Sequence, residues 1–282
     1  MARLTIPLIS SLAVLSQLAH VITATPFFAS EQALLDSTSD SSPSIEDTIH
    51  VTASDNLDPA TAPSWFTSTL MARRLLALST TGVASTVFPS PLSDNSHAPD
   101  AVAGHSIPLT EYFADCDATL PDSASDGGSG NPTFLALHVA TTFRNTAAGS
   151  NISLSIDWWD HVDATHPLFP GFPLSAAGLP RVTLFGYIDP LETPIPKALQ
   201  ECYLAAHPDA KVWLPGKQNS PHASFWARMV VTQVYWIGGF GGFQQIGWMN
   251  VTEWKGIRKG GSLSGIGDGR GWDDVKLPGE KE

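Results

Sequence analysis

Thr141, Thr142, Arg144 and Asn145 crowd one short stretch at the end of an apolar run, Phe134 to Phe143. Hydroxyls, an amide and a guanidinium so closely spaced can hold an anion, because each donates to oxygen and the arginine does so as a planar fork. Further along, Trp226 and Arg228 add a flat aromatic wall and a second cation. Plainer roles suit the same residues: Arg144 capping a surface turn and Trp226 packing in a core. A second candidate is the stretch DWWDHVDATHP, where Asp157, Asp160, His161, Asp163 and His166 supply oxygen and nitrogen ligands. Its spacing matches no two-histidine helical motif, so no metal site is assigned. Nor is any catalytic residue: no G-x-S-x-G elbow occurs, and GGFGG leads into a further apparent strand, not into the helix that a dinucleotide site requires.

The elements that must position these groups centre on Phe225 to Trp248, FWARMVVTQVYWIGGFGGFQQIGW. Its β-branched and aromatic residues run to a double-glycine turn and reverse, which reads as a long hairpin. With period two, Phe225, Ala227, Met229, Val231, Tyr235 and Ile237 share one face, and Trp226, Val230, Val234 and Trp236 share the other. Both faces are largely apolar, so the hairpin belongs inside a closed sheet.

Upstream, Ser64 to Leu78 reads as a helix with Pro63 in its first turn and Gly82 stopping it, followed by a strand over Val83 to Phe88. A further strand fits Ala101 to Leu109. Phe134 to Phe143 and the alternating Ile152 to Trp158 read as strands joined by the turn Asn145 to Ser150, hence as an antiparallel hairpin. Arg181 to Ile188 is another strand. A helix opens at Thr193-Pro194, with Leu199, Cys202, Tyr203 and Ala206 on one face. The fold class is therefore mainly β with flanking helices.

At 282 residues with 43% hydrophobic content, the chain can bury one substantial core. Residues 1–24 read as a signal peptide, since Pro7, Ser10, Ser11, Ser16, Gln17 and His20 interrupt the roughly 20 apolar residues an anchor needs. Residues 25–60 follow as a disordered leader, 61–256 as the folded domain and 257–282 as a flexible glycine-rich tail. No later stretch is long and apolar enough to span a bilayer, so the expected destination is outside the cell or a vacuolar lumen. The formal charge of −12 repels phosphate backbones, which disfavours nucleic acid as a partner. In an oxidising compartment the only cysteines, Cys116 and Cys202, are expected to pair. The sequons at Asn151 and Asn250 are expected to carry glycans.

Four stretches in order, ARRLLALSTTGVAST, GNPTFLALHVATTFRNTAAGSNISLSI, HPDAKVW and FWARMVVTQVYWIGGFG, resemble a fungal-type member of the CREG group of secreted proteins. The resemblance runs from about Ala72 to Trp254. It implies a split β-barrel of the kind shared with flavin-dependent pyridoxamine phosphate oxidases, and a homodimer. It also implies a binding or interaction module, the animal members being regarded as glycoproteins without demonstrated oxidase chemistry. The rival is an oxidoreductase with flavin mononucleotide at the subunit interface, held around Arg144, Asn145 and Arg228, with Thr141, Thr142 and Trp226 as further candidates. A weaker one is a haem-handling barrel using His138 or His222. Flavin-using relatives resemble one another in placing arginine and lysine on the early strands, whereas here none stands between Arg74 and Arg144, and seven acidic residues do. No cofactor is expected.

Overall fold

The computed structural model describes residues 62–94, 96–120, 130–159, 161, 165–167, 171, 173–240, 243–257, 272 and 274–281. All of them fall in the unit Leu57–Glu282. The signal peptide and leader assignments, and the ligand candidates Asp160 and Asp163, lie outside the described residues.

The first helix, α1 (Trp65–Leu78), is capped by Ser64, whose hydroxyl accepts from the Thr67 N–H. Pro63 therefore precedes the helix and does not sit inside its first turn. The helix ends at Ser79, and Gly82 lies within β1 (Thr81–Val87). There a Cβ would come within 2.9 Å of Leu154 and 3.0 Å of the Ser155 carbonyl, so this glycine serves a close strand approach.

β2 (Ser106–Tyr112), β3 (Thr133–Leu137), β4 (Ile152–Asp157), β5 (Arg181–Pro190), β6 (Ser224–Ile237) and β7 (Ile246–Trp248) complete a seven-stranded antiparallel sheet ordered β2-β1-β4-β5-β6-β3, with β7 also on β6. The two outer strands meet again through one bridge, Ala114 with Thr133, just beyond the end of β2. The sheet thus closes at one point and stays open elsewhere, which is the split barrel.

The predicted β3–β4 hairpin is not formed. β3 pairs with β6, β4 pairs with β1 and β5, and between them stands α2 (Thr141–Ala147). Phe143 turns inward to meet Phe134 and Phe225 edge-on, and Gly149, at φ +100°, ends the turn of helix in the left-handed region.

Along β6 the simple alternation also fails. Phe185 pairs with Gln233 but its neighbour Gly186 pairs with Val231, so Thr232 is an extra residue in a bulge. The core face accordingly switches parity, from Ala227, Met229 and Val231 to Val234 and Trp236, all fully buried. At the bulge a Cβ on Gly186 would stand 2.0 Å from the Val230 carbonyl oxygen. Gly186→Ala is therefore expected to cost about 3 kcal/mol in urea denaturation, the upper end of overpacking; an unchanged midpoint would show that the bulge yields without strain.

Ala72, Leu75 and Leu76 of α1 cover the barrel core with Leu154, Ile156, Leu184, Met229 and Trp236. A second cluster on the far side of β3 and β6 joins Leu135 and Trp226 to Leu199 and Tyr203 of α3 (Lys197–Ala206), Ala210 and Cys116. Cys116 and Cys202 form the expected disulfide. After α4 (Val251–Gly256), part of the expected flexible tail is instead packed. Trp272 and Val275 are buried with Ile257 against Leu70 and Met71, and Leu277 joins the main core. The glycine-rich run expected to be mobile lies outside the described residues.

Candidate functional site

The six candidate anion-binding residues divide into two groups. α2 packs through Phe143 into the main core, on the side of Ala227 and Met229. Trp226 and Arg228 alternate with those residues along β6 and so project to the opposite face, where Trp226 meets Tyr203 edge-on at 5.2 Å. Each group has internal partners. Asn145 is buried and donates to the Thr86 hydroxyl at 3.0 Å. Thr142 is fully buried, Thr141 is half-buried, and Arg144 faces solvent. Arg228 donates to the Asp189 carboxylate at 3.1 Å. Within one chain the two cations do not converge.

Near Thr142 the dominant ionisable group is an acid. Burial raises the pKa of Glu111 above its ordinary value, and the neighbouring Thr142 hydroxyl acts in the opposite direction without reaching standard hydrogen-bond geometry. In its ionised form the Glu111 carboxylate repels a phosphate.

A buried polar cluster that the sequence reading missed lies beside the disulfide. Asp115 and Asp117 belong to the acidic interval between Arg74 and Arg144, yet both are buried, and Asp117 is wholly inaccessible. Asn131 donates to Asp117 Oδ2 at 2.8 Å, while its own carbonyl oxygen accepts from the Val231 N–H at 2.9 Å, tying the acidic segment to the centre of β6. Arg73 lies 5.2 Å over the Trp254 ring, donates to the Trp254 carbonyl at 2.9 Å, and stands 3.9 Å from Asp115. The signal available in sequence was thin: Phe113 and Cys116 interleave with the acids, an apolar pattern unusual for a wet loop.

Burial pushes the Asp117 pKa up to about 6 and Asp115 adds to this, against the lowering effects of Asn131 and Arg228. Because the folded value exceeds the ordinary 3.8, the contribution of Asp117 to stability is full below that value and is lost as pH rises through about 6. Between about pH 7 and pH 5 the group is expected to add about 1 kcal/mol of stability. Paired unfolding curves of the parent and Asp117→Asn at the two pH values check this: the variant should lose that increment, and equal pH slopes would contradict it.

His138 is exposed and tilts against Phe225 at 4.7 Å, while its backbone N–H donates to Ala223, next to His222. His161 stacks on Trp158 at 4.0 Å. Among the described residues no group of three or more histidine, cysteine, aspartate or glutamate side chains could hold a metal.

A groove of about 560 Å³ lies on the outer face of the sheet. It runs over Ser85, Ser153 and Gly186 between Val87 and Tyr187, with Asn151 at its rim, and no ionisable side chain other than the Tyr187 phenol lines it. A family profile described as CREG, beta-barrel, matches residues 65–255. The chain belongs to the CREG family. That match spans α1 through α4, the elements that build the barrel. No curated protein matches the sequence.

Among solved structures, this CREG chain is similar to a heme-binding protein from Mycobacterium smegmatis, at 17% identity and a TM-score of 0.45 over 69% of this chain and 61% of that one. It is similar to a protein of unknown function from Agrobacterium tumefaciens, at 20% identity and a TM-score of 0.42 over 69% and 65%. A heme storage protein from Vibrio cholerae gives 10% identity and a TM-score of 0.33 over 58% and 88%. The chain spans less than two thirds of the length of the first two. No ligand of this CREG chain follows from likeness at these values.

Proposed function

We propose that this CREG chain is a glycoprotein of the secretory route, released from the cell or held in a vacuolar lumen, whose split barrel acts as a homodimeric binding module without oxidase chemistry. The observation that carries the reading is the division of the cationic candidates between opposite faces of β6, with Arg228 engaged by Asp189 and Glu111 beside Thr142. A flavin phosphate carries nearly two negative charges near neutral pH, and leaving such a charge unpaired out of water costs several kcal/mol. Within one chain the residues present therefore do not fit flavin mononucleotide. The secretory part draws support from the disulfide, which persists in oxidising compartments. It also draws support from the sequon asparagines. Asn151 and Asn250 are both exposed, and Asn250 caps α4 through its Oδ1, leaving the amide nitrogen for a glycan. No described helix is long and apolar enough to cross a membrane.

The test is an absorption spectrum of protein purified from its native host, with sedimentation in parallel. The expected result is a colourless species of twice the chain mass. A visible flavin band released on denaturation would overturn the reading in favour of a flavin-dependent oxidoreductase.

A further inference from the structure

The outer-face groove has no part in the anion-site question, and its construction points to a different ligand. The β1–β4 ladder stops at the pair Ser85 and Ser153, while β1 continues to Val87, so the two strands part above that point. Beyond it, the Val87 N–H is satisfied by the Ser150 hydroxyl and not by β4. The bulge opposite contributes the side-chain-free Gly186 and the extra residue Thr232, whose hydroxyl donates to the Phe185 carbonyl at 3.1 Å. The result is a trough whose walls carry the hydroxyls of Ser85, Ser106, Ser153 and Thr232 and the rings of Phe185 and Tyr187.

Hydroxyls that donate and accept, aromatic faces, and no carboxylate, amine or guanidinium match a neutral polyhydroxylated ligand with an apolar face, which is a saccharide. The volume of about 560 Å³ is of small-ligand size. One saccharide source is covalently at hand. Asn151, the first residue of the sequon Asn151-Ile152-Ser153, is exposed and lines the same groove. We infer that the groove seats the first sugar residues of an N-glycan carried by Asn151, with Tyr187 and Phe185 covering the apolar sugar face and the serine and threonine hydroxyls bonding its polar edge. The chain's own modification then covers this part of the sheet. An attached sugar binds at high effective concentration, so individually weak contacts suffice to hold it.

This inference rests on the reading of Asn151 as glycosylated, and the experiment separates the two. Protein secreted from a glycosylating host is first digested and the Asn151 peptide weighed. An unmodified peptide would sink the glycosylation reading and this inference together. With the site occupied, release of the Asn151 glycan by an amidase is timed under native conditions for the parent and for Tyr187→Ser. Tyr187 is 48% exposed and outside the core, so this variant keeps the fold. Release is expected to be about tenfold faster in the variant, corresponding to about 1.4 kcal/mol of seating, while both proteins release at one rate after denaturation. Equal native rates would overturn the seating and leave glycosylation intact.

Discussion

Replacing both half-cystines, Cys116→Ser with Cys202→Ser, is expected to lower the unfolding free energy by about 4 kcal/mol, most of what a marginally stable domain has. The bridge joins residues 86 apart in sequence, so its loss frees a long loop in the unfolded chain. In the folded state Cys116 is buried in the cluster that seats Tyr203 and Trp226, and Cys202 packs against that cluster from α3. The bridge also abuts the acidic segment that Asn131 ties to β6. Urea unfolding of the oxidised parent, the reduced parent and the double variant measures the effect. The reduced parent and the variant should coincide, well below the oxidised parent. A difference under about 1 kcal/mol would mean that packing alone holds α3 in place.

Arg74→Ala is expected to cost about 3 kcal/mol and to release the segment that packs through Trp272, Val275 and Leu277. Arg74 donates to both carboxylate oxygens of Glu280, at 3.0 and 2.6 Å, and to the Trp272 carbonyl at 3.1 Å. Both side chains are largely buried, at 8% and 12% exposure. Removing one partner leaves the other charge uncompensated, at about 3 to 5 kcal/mol for a fully buried pair. Arg74→Lys should rescue little, since an ammonium lacks the fork. Burial alone would raise the Glu280 pKa, but the Arg74 bonds and the Leu277 N–H outweigh it and hold the value below the ordinary 4.5. The stabilisation it gives is therefore present above that ordinary value and lost as pH falls through the folded one, opposite in sign to Asp117. Limited proteolysis should cut Arg74→Ala near Trp272 under conditions that spare the parent; equal resistance would show that Trp272, Val275 and Leu277 hold the segment unaided.

The barrel was legible because β6 is long, branched and aromatic, and because β4 alternates with an apolar face of Ile152, Leu154 and Ile156. α2 was not, because Phe134 to Phe143 is a continuous run in which periodicity cannot separate a strand from a strand followed by a turn of helix. The bulge at Thr232 leaves no mark in composition. It is seen only through the partner strand, where Gly186 leaves room for the Val230 carbonyl. The packed segment after Trp272 was hidden for a similar reason, since its anchors, Arg74 and Glu280, are polar residues about two hundred positions apart whose pairing no local pattern announces. For the candidate site, residue types were legible but their convergence was not. The opposite parities of Trp226 and Ala227 follow from their positions on β6, and only the packing of Phe143 on the Ala227 side shows that Arg144 and Arg228 belong to different faces.

Whether the barrel can hold a flavin phosphate is measured most directly by titration of flavin mononucleotide fluorescence with the purified protein, in parallel with Arg144→Ala and Arg228→Ala. The expected result is no saturable quenching at micromolar protein for any of the three. Saturable quenching by the parent would contradict it, and its loss in both arginine variants would show the two cations meeting around one phosphate.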